Sequence, residues 1–116
     1  MNVTVITTGG TIAKTFNESD GSLSNDRPVI EGLIAALRLP DIAVRFRHVL
    51  NKDSLDMTES DRRLILDAVR TAAKESDAVV VVHGTDTLSL TGEMLYREVA
   101  DARVPIVLTG AMRPYE

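Results

Sequence analysis

Four consecutive valines, Val79 to Val82, constrain this 116-residue chain more than any other stretch. β-Branched side chains lose rotamer freedom in a helix, and a half-exposed strand would alternate apolar with polar residues. The run therefore predicts a strand buried on both faces, as in a parallel sheet covered by helices. His83-Gly84-Thr85-Asp86-Thr87 follows directly, bringing a glycine, two hydroxyls and a carboxylate to the strand's carboxyl end. In open α/β sheets that is where ligands bind.

A second stretch repeats the arrangement. Val3, Val5 and Ile6 read as a strand running to Thr8, and Gly9-Gly10-Thr11-Ile12-Ala13 follows. Two adjacent glycines permit a sharp turn and close approach of another molecule to the main chain. Alone, Gly-Gly-Thr is more often a plain turn with local threonine hydrogen bonds. Two buried strands that both end in glycine and hydroxyl residues change that balance, because in a parallel sheet both ends share one rim.

The remaining segments fit around these two. Lys14 to Asn25, rich in Asn, Ser, Asp and Gly, reads as a lid over the site or as an ordinary surface loop. Asn25 or Asp26 caps an expected helix with Pro28 in its first turn and Val29, Ile30, Leu33, Ile34 and Leu37 on one face, ended by Pro40. Ala43 to Leu50 predict the second strand. It carries Val44, Phe46 and His48 on one face and arginines 45 and 47 on the other, which places it near a sheet edge and makes His48 a polar edge residue.

After the polar loop Asn51 to Met57, Thr58 with Asp61 three residues on resembles a capping box. The helix it opens is expected to bury Leu64, Ile65, Ala68, Val69 and Ala72. A third helix, Ser89 to Ala100, offers Leu90, Met94, Leu95 and Val99 to the core, and Val104 to Leu108 predict a fourth strand ending at Thr109-Gly110. The order β-α-β-α-β-α-β predicts a three-layer α/β/α domain with helices on both faces. Its sheet is mainly parallel, flavodoxin-like or Rossmann-like, and has about four strands.

Composition narrows the function. A formal net charge of −4 argues against nucleic acid, which requires a basic field to displace counterions. With no cysteine there is no thiolate chemistry, and no apolar run approaches the length of a membrane span. The first residues lack a signal-peptide pattern, so the expected location is cytoplasmic. The two histidines have no partner at ligand spacing, so neither a metal nor a cofactor is expected. A nucleotide is disfavoured too, since GxGxxG and GxxxxGK[ST] are both absent.

The TTGGTIA of residues 7–13, the HGTDT of residues 83–87 and the TGAMRP of residues 109–114 together resemble the L-asparaginase family of bacterial or archaeal type, in its amino-terminal catalytic domain. The resemblance covers nearly all of residues 1–116, read as one asparaginase-type α/β domain incomplete at its C-terminal end. Its SLDM wording is closest to the short single-domain members, and the chain reads as a truncated form. The implied reaction is hydrolysis of L-asparagine to L-aspartate and ammonia, with L-glutamine as a weaker substrate. Homodimers or homotetramers are the implied assembly.

The resemblance also implies roles. Thr11 is the nucleophile that forms an acyl-enzyme, and the backbone N–H groups of Gly10 and Thr11 receive the oxyanion. Thr85 serves the attacking water, Asp86 binds the substrate's α-ammonium, Ser54 binds its carboxylate, and the Ala111 carbonyl faces its amide. Two departures stand out. The family's flap tyrosine has only Phe16 near its place, and Phe cannot exchange a proton. The family's lysine lies downstream of the TGAMRP motif, beyond residue 116. Without these two groups the alternative reading is a non-catalytic module that grips an amino acid or dicarboxylate.

Overall fold

The computed structural model describes residues 1–9, 14–17, 22–25 and 41–110. The valine run forms strand β5 (Ala78–Val82), which is interior to a four-stranded parallel sheet. Its partners are β1 (Asn2–Thr7) and β6 (Ile106–Thr109), and β4 (Ala43–His48) forms the far edge. The registers align the carboxyl ends: Thr7 stands opposite both His48 and Val82, and Val82 opposite Thr109. The three-layer α/β reading of the sequence is thus met by a parallel sheet with helices packed on it.

Helix α1 (Glu59–Glu75) connects β4 to β5, and α2 (Leu88–Glu98) connects β5 to β6. Both connections run the same way across the sheet, so right-handed crossovers place both helices on one face. There they close the main core, in which Ile6, Val79 and Val81 meet Ile65, Val69 and Leu95. Val5 and Val82 begin a second cluster with Val3, Val44, Phe46 and Val80 on the opposite face. The helix expected after Asp26 lies outside the described residues.

Several expectations are corrected. Lys14 to Asn25 is not a plain loop in its described parts. Strands β2 (Lys14–Asn17) and β3 (Ser22–Asn25) pair antiparallel, with Phe16 opposite Leu23. On α1, Leu66 is buried and Leu64 is 51% exposed; the two flank the Ile65–Ala68–Val69–Ala72 stripe on opposite sides at similar angles, so the stripe alone does not choose between them and the surface that α1 packs on does. On α2, Leu90 is exposed, and Thr91 takes the inward place because His83 is there to bond its hydroxyl. The edge position of β4 holds: Arg45 and Arg47 reach Glu75 at 3.7 and 3.8 Å on the sheet's outer margin.

Candidate active site

The exit of β1 is fixed on both sides. Thr8 donates to the Val82 carbonyl through its N–H at 3.2 Å and through its hydroxyl at 2.9 Å, extending the β1–β5 pairing past the strand end. On the other side the Thr7 carbonyl accepts from the Val49 N–H at 3.0 Å, and the Thr7 hydroxyl bonds His48 Nδ1. That half-buried contact and the stacking of His48 on Phe46 match its reading as a polar edge residue. The Thr8 carbonyl accepts from the Lys52 N–H at 3.0 Å. Gly9 follows at φ +100°, and a Cβ there would stand 2.6 Å from the Lys52 carbonyl oxygen, so both backbone angle and space demand glycine.

Ser54 opens a single 3-10 turn (Ser54–Asp56) and is 1% exposed. Its Oγ accepts from the Thr87 N–H at 3.1 Å, and its carbonyl accepts from the Thr87 hydroxyl at 2.9 Å. These paired bonds fasten the loop after β4 to the loop after β5. A serine hydroxyl that accepts one bond keeps its own O–H to donate.

The β5 exit is held from below by His83, which is fully buried. Its Nδ1 lies 2.7 Å from the Gly84 carbonyl and its Nε2 2.7 Å from the Thr91 hydroxyl. A carbonyl only accepts, so Nδ1 carries the proton, and Nε2 of the neutral ring accepts from Thr91. Burial pushes the His83 pKa down from its ordinary value. The bond to the Gly84 carbonyl pulls it back up in part, and the charge of Arg62 lowers it further.

Thr85 and Asp86 then stand exposed above this anchor. Thr87, not Asp86, is the N-cap of α2, and no side-chain cap bond forms there. Among the described residues, nothing engages the Asp86 carboxylate in a hydrogen bond or ion pair. The third exit is equally tight: the His83 N–H donates to the Thr109 carbonyl at 2.9 Å, and a Cβ on Gly110 would meet the His83 carbonyl oxygen at 2.3 Å.

Of the residues singled out from the sequence, the structure brings Ser54, Thr85 and Asp86 to one rim, with Ser54 bonded to the residue next to Asp86. Gly10, Thr11 and Ala111 lie outside the described residues; their neighbours Gly9 and Gly110 are at the same rim. Three contributors are not evident from the sequence. His83 bonds Thr91 across a loop, Gly110 makes its close approach only in the tertiary fold, and Lys52 carries no local signal of a role. Among the described residues there is no metal-binding cluster and no helix long and apolar enough to cross a membrane.

A parallel α/β sheet with hydroxyls and a carboxylate gathered at its carboxyl rim defines an α/β protein with polar groups where such sheets usually bind ligands. The model of the asparaginase N-terminal domain matches residues 2–116, and the chain belongs to that family. It is 35% identical over 98% of its length to the L-asparaginase of Thermococcus kodakarensis, covering 35% of that protein. It is 36% identical over 96% of its length to a glutamyl-tRNA(Gln) amidotransferase subunit of Thermoplasma acidophilum, covering 27% of it. L-asparaginase 2 of Escherichia coli is 34% identical over 97% of this chain and is covered to 33%. The solved thermostable L-asparaginase from Thermococcus kodakarensis superposes with a TM-score of 0.81 at 33% identity, over 98% of this chain and 35% of that one. The chain thus spans about a quarter to a third of the length of these relatives.

Proposed function

We propose that this chain carries the amide-hydrolysing half-site of an asparaginase-type amidohydrolase, converting L-asparagine to L-aspartate and ammonia. The observation that carries the reading is the convergence of three strand exits, after β1, β5 and β6, on one rim with Ser54 fastened to Thr87 beside Asp86. In this scheme Thr11 Oγ attacks the side-chain amide carbon while the N–H groups of Gly10 and Thr11 receive the oxyanion. The hydroxyl proton passes to the departing nitrogen, ammonia leaves, and a water held by Thr85 cleaves the ester to free Thr11. Activation of a threonine hydroxyl requires a base.

The remaining groups bind. The exposed Asp86 carboxylate takes the α-ammonium, the free O–H of Ser54 donates to the α-carboxylate, and the Ala111 carbonyl faces the amide NH2. The same reading includes a homodimer or homotetramer in the cytoplasm. The test is ammonia release from L-asparagine. Thr11→Ala and Thr85→Val are expected to lower kcat by about a thousandfold or more while the circular dichroism stays native; release that survives both changes removes the nucleophile assignment.

A second reading follows from the relatives that are subunits of a glutamyl-tRNA(Gln) amidotransferase. In it the ammonia freed at this rim passes to a partner protein instead of to solvent. Turnover that appears only when a second protein is added would favour it. Calorimetric binding of L-aspartate with no turnover under any condition would favour the binding-module alternative.

A further inference from the structure

The Lys52–Asp61 contact plays no part in the proposed chemistry, yet three of the loops that build the rim meet beside it. The Lys52 main chain holds the β1 exit: its N–H donates to the Thr8 carbonyl, and its carbonyl oxygen fills the space that a Gly9 side chain would need. Two residues on, Ser54 holds Thr87 at the β5 exit. The Lys52 side chain turns the other way, and its Nζ donates to Asp61 Oδ2 at 2.9 Å.

Asp61 is itself anchored. Its side chain is 10% exposed, it accepts from the Thr58 N–H at 2.9 Å, and its own N–H donates to the Thr58 hydroxyl at 3.2 Å. The Lys52 ammonium, and next the Thr58 N–H, hold the Asp61 pKa below its ordinary value, so the carboxylate stays charged at neutral pH. The lysine side chain is 44% exposed, and an ion pair so open to water adds little stability. Its effect is on geometry: it ties the loop spanning both rim contacts to the rigid first turn of α1.

We infer that Lys52 is a positioning residue of this site, setting through Asp61 the placement of Ser54 beside Thr87. This rests on the functional reading above. If it holds, Lys52→Met raises KM for L-asparagine about tenfold, equivalent to ~1.4 kcal/mol, and leaves kcat within about threefold. Asp61→Asn, which keeps the cap acceptor but loses the charge, does the same, the double variant is no worse than either single one, and Lys52→Arg restores KM. The urea midpoint of Lys52→Met stays at the wild-type value. An unchanged KM in Lys52→Met, or a KM that Lys52→Arg fails to restore, overturns the assignment.

Should the wild-type chain neither turn over L-asparagine nor bind L-aspartate, the functional reading fails, and the tether is then read by amide exchange. Exchange at the Lys52 N–H is expected to quicken about tenfold in Lys52→Met and to return to the wild-type rate in Lys52→Arg. An unchanged rate in Lys52→Met overturns the tether.

Discussion

His83 couples the candidate site to pH through its burial. The ring supports Gly84 on one side and the first turns of α2 on the other, and each of its nitrogens already has a partner that suits the neutral form. Its pKa in the folded chain is lowered, chiefly by desolvation, so on acidification the unfolded chain takes up this proton first. The sign follows: the His83 contribution is fully present above the ordinary histidine value near 6.5 and is lost as pH falls below it toward the lowered folded value. Urea midpoints measured between about pH 7.5 and pH 5.5 are expected to decline. His83→Gln, which keeps polar atoms but does not titrate, is expected to flatten that decline. A decline of equal size in both proteins would assign it to other groups.

At the level of elements, α1 is the one whose start is written most explicitly. Thr58 and Asp61 bond reciprocally, side chain to backbone in both directions, as the spacing Thr-x-x-Asp suggested. Thr58→Ala is expected to cost about 1 kcal/mol in urea denaturation, the usual value for a lost N-cap. What was legible in the sequence was of this local kind. The valine run named the buried strand because four β-branched residues admit little else, and the arginines of β4 named the edge. The β2–β3 hairpin was not legible, since Lys14-Thr15-Phe16-Asn17 offers one apolar residue and its partner strand no clearer alternation. Nor was Leu66 over Leu64, a choice made by the sheet that α1 meets. At the site, the motifs named Ser54, Thr85 and Asp86. The pairing of Ser54 with Thr87, the stance of His83 and the Lys52 tether depend on loops brought together only by folding, which spacing along the chain does not encode.

Across the described sheet, burial is graded from the middle outward, and the site sits at the ends of the two interior strands, β1 and β5. Val81 is fully buried and stands in register between Ile6 of β1 and Leu108 of β6, whereas Val107 on edge strand β6 is 52% exposed. The same chemical change therefore has unequal consequences. Val81→Ala removes two methyl groups from a packed centre and is expected to cost about 2–3 kcal/mol, transfer and cavity together. Val107→Ala is expected to stay within about 0.5 kcal/mol, as surface changes do. Urea unfolding with an unchanged m-value decides between this gradient and an evenly shared load, which equal costs would indicate. The gradient matters for chemistry because a functional group is held more closely in place on a rigid element than on a loop. Thr85 and Asp86 lie on the loop after β5, which His83 anchors through its N–H to Thr109 and through its ring to Gly84 and Thr91, so weakening Val81 should loosen the rim before it unfolds the edge.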